Sequence, residues 1–460
     1  MKPSAALVYV AVLAALIWPA GLVQAQPAPT GSFIHIGSTG HNIGGAFRTY
    51  YEAHGSAATF GLPLTEIFAD HGVRSQYFEY ARFDMRSSGL TLARVGAEVT
   101  LGRNEPEFGW IDRDPGDGRT YFAASGHTLG GLFALFWEQN GGIQRFGYPI
   151  SEELFEADGS GFSRRVQYFE RARLELYPVG DSFQVRMGQL GRELLERRTD
   201  AAVLMTAAAP LTLLGTATTT FRTSAAERRH NIERAAAMFD GVVVAPGAEF
   251  SFLALGDFSE EAGFIEGYGI VGGRLERVIG GGLCQVSTTI FRAVSNAGLQ
   301  ITRRIPHTYI VFYYENIVGF DATVFSPSVD FRWRNDTAAP VYLAARTEPG
   351  GSTVTFEVWG VSDGRRVSYD GPHVRNVVQP GAAYWQFDPN LAPGATRQLV
   401  HGRPGMDVSY IRTVTLPDGT LLHRNNYQTR YRPWDDFFTY GAGVKPPAGS
   451  RIVAAPGSRP

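Results

Sequence analysis

A nine-residue segment of this chain recurs in similar form. Thr39-Gly40-His41-Asn42-Ile43-Gly44-Gly45-Ala46-Phe47 returns as Ser125-Gly126-His127-Thr128-Leu129-Gly130-Gly131-Leu132-Phe133, 86 positions on (41 to 127). At the same offset Tyr51-Glu52 is answered by Trp137-Glu138, and Phe60-Gly61-Leu62-Pro63 by Phe146-Gly147-Tyr148-Pro149. Gln76-Tyr77-Phe78-Glu79-Tyr80-Ala81-Arg82 returns as Gln167-Tyr168-Phe169-Glu170-Arg171-Ala172-Arg173, 91 positions on (76 to 167). The extra residues fall near Asp158-Gly159-Ser160-Gly161, a loop composition. The N-terminal part is therefore expected to hold two copies of one small module, at about 31–105 and 117–190. Each copy reads as a short amphipathic helix, a Phe-Gly-x-Pro turn and a hairpin rich in Tyr and Phe. Phe47, Tyr50 and Tyr51, and their counterparts Phe133, Phe136 and Trp137, have helical spacing and are read as small cores rather than a glycan-stacking surface. His41 and His127 sit beside glycines and are read as turn residues, not metal ligands.

With 460 residues the chain has room for about two to four domains. Apolar residues make up 44%, enough for packed cores, and the net charge of −2 points to neither nucleic acid nor a polybasic membrane contact. Lys2, an apolar run from Ala5 to Leu22, and the small residues around Val23-Gln24-Ala25 have the layout of a secretory signal, expected at 1–25, with an uncleaved anchor as the alternative. The working part is thus expected outside the cytoplasm, with no membrane contact beyond that segment. Only two lysines, Lys2 and Lys445, and one cysteine, Cys284, are present. No intramolecular disulfide can form, and Ser-x-x-Lys chemistry is nearly excluded. Residues 191–216 read as a connector, and 444–460, rich in Pro, Gly, Ser and Ala, as a disordered tail.

The chemistry concentrates around Gly280-Gly281-Gly282-Leu283-Cys284-Gln285-Val286-Ser287-Thr288-Thr289. Three glycines allow a sharp turn and close approach of a ligand. Residues 285–297 read as a helix, with Val286, Ile290, Phe291, Val294 and Ala297 on one face and Gly298 as its stop. Cys284 then lies at or just before a helix N-terminus, where unpaired N–H groups favour the thiolate and can hold an oxyanion. His307 follows 23 residues later (284 to 307), a gap that a helix and a returning strand would fill. It is the candidate base, and Asp321 the candidate that orients it, with Asp330 a weaker one. An inert buried cysteine is the competing reading, but it needs no three-glycine turn. No histidine pair has metal spacing, and neither metal nor cofactor is expected. Gly360-Val361-Ser362-Asp363-Gly364 reads as a turn, because a strand follows it rather than a helix.

Residues 217–360 closely resemble the VanW family. The resemblance rests on Arg229-His230-Asn231-Ile232, Pro246-Gly247-Ala248-Glu249-Phe250-Ser251-Phe252, the glycine–cysteine segment, Arg304-Ile305-Pro306-His307, Asp321-Ala322-Thr323-Val324 and Asp330-Phe331-Arg332-Trp333-Arg334-Asn335. Where the family has a short turn, Tyr313 to Gly319 stand as an insertion. Some VanW domains have been linked to L,D-transpeptidase activity on peptidoglycan. The resemblance implies Cys284 as nucleophile and His307 as base, with Gly281, Gly282, Gln285, Ser287, Thr288 and Arg304 expected at the substrate. The two N-terminal copies resemble LGFP-type repeats of cell-wall-associated proteins. Residues 361–443 are expected to form a β-rich C-terminal module; within it about 392–443, with Pro393-Gly394, Gly402-Arg403-Pro404-Gly405, Pro417-Asp418-Gly419-Thr420 and Tyr440-Gly441, resembles the small glycine-containing surface module that often follows VanW domains.

The expected fold class is α+β and multidomain. It comprises two small α+β repeats, a central α+β domain with a mainly antiparallel sheet, and a β-rich C-terminal module. The expected function is a cysteine-dependent cell-wall L,D-transpeptidase acting on peptidoglycan stem peptides and glycan. A papain-like wall endopeptidase and a non-enzymatic wall-binding protein are the alternatives, and the sequence does not choose between amine and water as acceptor.

Overall fold

A computed structural model of the protein describes residues 33–86, 89–157, 161–271, 274–311, 317–348 and 352–453. The expected signal segment, the Asp158–Ser160 loop and most of the Tyr313–Gly319 insertion lie outside the described residues. The fold is mixed α+β, made of small and mainly antiparallel sheets, and it divides into two compact units at Pro210/Leu211. Among the described residues no helix is long and apolar enough to cross a membrane.

In the first unit, each copy of the duplicated motif opens with a strand, His41–Gly44 or His127–Leu129, and a helix, Gly45–Ala53 or Gly131–Gln139. A short second helix and a four-stranded antiparallel sheet follow in both. The motif residues serve this architecture. Gly61 and Gly147 turn at φ +77° and +78°, where a Cβ would strike the side chains of Glu79 and Glu170. Those carboxylates accept from the Leu62 and Tyr148 N–H groups at 3.0 and 3.3 Å. The buried Gln76 amide donates to the Asn42 and Thr65 carbonyls, and Gln167 donates to those of Thr128 and Ser151. His41 and His127 depart from expectation. They begin strands rather than lie in turns, and each is buried with Nδ1 3.4 Å from one carboxylate, Glu66 or Glu152.

The copies are not independent. Helix Val95–Val99, after the first, packs on the second copy's hairpin, and helix Leu190–Glu196, after the second, packs on the first copy's hairpin. Ala97 N–H donates to Glu170 O at 3.1 Å, and Arg192 N–H to Glu79 O at 3.2 Å. At Gly96 and Gly191 a Cβ would come within 1.9 and 2.0 Å of the Phe169 and Phe78 carbonyl oxygens, so only glycine allows this approach. The expected connector is therefore corrected. Leu190 and Leu195 are fully buried, and Thr212–Thr220 is an edge strand of the second unit's main sheet.

That sheet runs in the order 212–220, 353–360, 341–347, 243–244, all antiparallel. Helices Ala226–Phe239 and Leu283–Asn296 pack against it. The second helix is buried on every side from Gln285 to Ser295, not on the one face that its apolar spacing indicates. Its other side is covered by a three-stranded sheet of Arg366–Val378, Gly405–Thr415 and Leu421–Tyr431. The buried Arg412 guanidinium donates to the Ser295 and Leu299 carbonyls at the helix C-terminus, at 2.9 and 3.0 Å. Val408, Tyr410, Tyr427 and Tyr431 belong to the same hydrophobic core as Phe291 and Trp333. The segment expected as a separate module thus shares the core of the domain before it. The tail also needs correction, because Arg451–Val453 pairs in parallel with Tyr384–Gln386, so strand structure continues past residue 444.

Candidate active site

The glycine turn is shaped by close backbone contact. At Gly281 a Cβ would lie 2.6 Å from the Gly267 carbonyl carbon, and Gly282 has φ +120°. Asn231 secures the turn from the neighbouring helix. Its amide donates to the Ile265 and Gly281 carbonyls at 2.8 and 3.2 Å, and its oxygen accepts from Ile265 N–H at 3.0 Å. The helix starts at Leu283, so Cys284 stands inside its first turn. The Leu283 and Gln285 N–H groups donate to Gly280 O and Gly282 O. The Cys284 N–H between them has no such partner among the described residues, as the opening of a helix dictates.

The half-buried Cys284 Sγ lies 3.3 Å from the Thr323 hydroxyl and 3.3 Å from the Val324 carbonyl oxygen. The His307 imidazole interacts with it electrostatically. Nδ1 of the ring meets Asp321 Oδ2. Asp321 is 1% exposed and carries four hydrogen bonds. Oδ2 accepts from His307 Nδ1 and from the His307 backbone N–H (3.1 Å); Oδ1 accepts from Arg304 (3.1 Å) and the Tyr431 hydroxyl (3.2 Å). Cysteine, histidine and aspartate therefore form one chain of contacts.

Electrostatics follow from these contacts. Burial acts to raise the Cys284 thiol, but the bond to His307 and its charge outweigh this and bring the thiol down to about 7. Burial acts to lower His307, but the Asp321 charge and hydrogen bond outweigh it and push the imidazole up to about 10. Burial opposes ionisation of Asp321, yet His307 and Arg304 hold its carboxyl below the ordinary range. Near neutral pH the arrangement favours a thiolate–imidazolium pair over a buried neutral thiol.

The weaker candidate Asp330 lies elsewhere. It accepts from Ser251 Oγ, the Leu253 N–H and Arg332, and so caps a short helix that starts at Phe252. Four expected substrate contacts are also corrected. Gln285, Ser287 and Thr288 are fully buried. Gln285 donates to Thr219 Oγ1 and Thr220 O, and Thr288 exchanges hydrogen bonds with the Ala322 backbone. Arg304 is turned inward to Asp321 and to the Asp321 and Gly319 carbonyls. Gln285, Thr288 and Arg304 thus bond to the surrounding chain, whereas the buried Ser287 hydroxyl has no hydrogen-bond partner among the described residues. Gly281 is buried against the Gly267 backbone, and Gly282 packs against Ile232 and Arg228. Three residues that sequence reasoning did not assign to the site are Thr323, Asn231 and Tyr431. The first two stand inside the quoted VanW stretches, whereas nothing local marks Tyr431.

Two curated proteins are similar to this segment. The "Uncharacterized protein YoaR" of Bacillus subtilis (strain 168) is 40% identical over 144 residues, 31% of this chain and 47% of that protein. The "Vancomycin B-type resistance protein VanW" of Enterococcus faecalis (strain ATCC 700802 / V583) is 28% identical over 141 residues, 30% of this chain and 46% of that protein. The chain thus spans about half the length of each relative. Two solved structures, "Crystal structure of HP0197-G5" and "IgA1 Protease G5 domain structure", align with 17% and 18% of this chain and 92% and 100% of theirs. Their identities are 20% and 17%, and their TM-scores, 0.09 and 0.12, assign no fold. The region that holds the cysteine, histidine and aspartate, residues 227–359, matches the protein-family model described as VanW like protein.

Proposed function

We propose that this protein is an extracytoplasmic, peptidoglycan-modifying enzyme: a cysteine-dependent L,D-transpeptidase that forms 3–3 cross-links through a thioester on Cys284. The observation that carries the reading is the thiol at a helix N-terminus, its acidity raised by an imidazole that a buried carboxylate orients. The match of residues 227–359 to the VanW family model, and similarity over 141 residues to a protein named for vancomycin resistance, support a role at the cell wall. The N-terminal run supports export, and the N-terminal repeats would hold the enzyme on wall glycan.

The Cys284 thiolate attacks the carbonyl carbon of the third residue of a tetrapeptide stem. The Cys284 N–H, at the positive end of the helix, faces the developing oxyanion. As the tetrahedral intermediate collapses, the bond to D-alanine breaks, and imidazolium His307 gives its proton to the departing amine. A side-chain amine of a second stem then attacks the thioester carbonyl. His307 takes the amine proton, an amide bond forms, the carbon–sulfur bond breaks, and the thiolate returns. Asp321 keeps Nδ1 protonated, so that Nε2 exchanges the proton.

The test is incubation of the full chain, and of Cys284→Ala, with disaccharide-tetrapeptides, followed by mass spectrometry of the products. Dimers lacking one D-alanine, from the parent protein alone, are the expected result. Shortened monomers without dimers would make it a hydrolase. Untouched substrate beside retained binding to sacculi would leave a wall-binding protein.

A further inference from the structure

The C-terminal sheet reaches the site at one point. Strand Leu421–Tyr431 ends beside Asp321, and Thr429, Tyr431 and the following Arg432 contact the segments that carry the aspartate and histidine. The Thr429 hydroxyl donates to Gly319 O at 3.1 Å and accepts from Arg304 at 2.9 Å. The Tyr431 hydroxyl accepts from Gly319 N–H at 2.9 Å and donates to Asp321 Oδ1 at 3.2 Å. Arg432 N–H donates to Thr308 O at 2.8 Å, next to His307. A phenol has one proton to give. Because its oxygen is occupied by the Gly319 N–H, that proton is directed at the carboxylate.

We propose that Tyr431 is a positioning residue for the Cys284–His307–Asp321 chain, acting through Asp321 to fix the imidazole against the sulfur. This rests on the reading of Cys284 as nucleophile and deepens it. The site then extends more than 70 residues beyond the region that matches the VanW family model (359 to 431). Among the described residues, the charged and titratable groups that bear on Asp321 are Arg304, His307 and Tyr431, and those that bear on the sulfur are His307 and the Thr323 hydroxyl. Burial and the neighbouring Asp321 charge keep the Tyr431 phenol above its ordinary range, so it stays a donor wherever the thiol titrates. Without the hydroxyl, Oδ1 keeps only Arg304, the carboxylate is free to rotate, and the imidazole loses its fixed direction.

The experiment measures the rate of iodoacetamide alkylation of Cys284 in the full chain as a function of pH. Tyr431→Phe keeps the ring and removes the hydroxyl. Its profile is expected to move up by about half a unit to one unit, toward the ordinary thiol value. Alkylation near pH 6.5 should accordingly slow roughly three- to tenfold. Tyr410→Phe is the control: it removes a hydroxyl of the same sheet that donates to Val318 O at 2.9 Å, close to Gly319 but not to Asp321. Its profile should match the parent's. In the Asp321→Asn background Tyr431→Phe should add nothing, since a residue acting through the carboxylate has nothing left to act on. 4-Aminophenylalanine at position 431 keeps ring and donor, covers the case of a phenylalanine variant that does not fold, and should restore the parent profile. A Tyr431→Phe profile that coincides with the parent or moves to lower pH, a Tyr410→Phe profile that moves equally, or an additive effect beside Asp321→Asn would overturn the proposal. Alkylation needs no wall substrate, so failure of the transpeptidase reading leaves this result standing and is read separately from product analysis.

Discussion

At the residue scale, Cys284 is set apart by its neighbours. Burial alone would keep the thiol protonated; the imidazolium beside it reverses the sign. Alkylation of the parent protein should therefore rise through about pH 7. In His307→Ala the burial remains and the partner is gone, so the midpoint should move above the ordinary thiol value of about 8.5. A midpoint unchanged between the two would remove His307 from the site. Asp321→Asn breaks a buried charge network and should lower stability by about 3–5 kcal/mol in urea titrations. The sign of its pH dependence follows from the depressed carboxyl. Its stabilisation is present above the unfolded value of about 3.9 and is lost as pH falls through the folded value, so the gap between parent and variant should narrow in acid. Asp330→Asn should cost about 1–2 kcal/mol as a lost cap and leave the thiol profile in place. The cysteine, the histidine and their aspartate were legible because one short stretch of chain holds all three. Asp321 and Asp330 were not separable by spacing. Only the return of the chain shows that one accepts from His307 and the other from Ser251.

At the scale of elements, the glycines carry the most information. Gly281 lets the turn before the helix lie on the Gly267 backbone, and no side chain there can yield to a methyl group. Gly281→Ala should displace the start of the helix and slow alkylation of Cys284, while far-UV circular dichroism stays near the parent's. Rapid alkylation in that variant would show the turn to be dispensable. The helix itself, its apolar residues and its end at Gly298 could be read from periodicity. Its burial on all sides could not, because the second covering layer arrives 70 residues later (296 to 366) and leaves no local pattern. The same holds for the duplicated segment. The offset discloses two copies, but the exchange of helices between them rests on Gly96 and Gly191 meeting carbonyl oxygens of the opposite copy. Either glycine changed to alanine should destabilise the first unit by about 1–3 kcal/mol, read as a lowered urea midpoint.

At the scale of the whole molecule, the piece that matches the VanW family model is smaller than the piece that folds. The edge strand Thr212–Thr220 precedes residue 227, and the sheet that holds Tyr431 follows residue 359. A chain of residues 211–453 should unfold cooperatively by circular dichroism, and a chain of residues 227–359 should not fold. The sequence divided this region by composition, whereas the structure unites it through the buried Arg412 and the tyrosines of the hairpin. The central claim is that Cys284 carries the acyl group. It is tested most directly by intact-protein mass spectrometry after brief exposure of the full chain to a disaccharide-tetrapeptide at limiting acceptor. The account predicts an adduct equal to the donor less D-alanine, located on Cys284 by peptide mapping and absent from Cys284→Ala. Cross-linked product formed without that adduct, or an adduct that persists in Cys284→Ala, would contradict it.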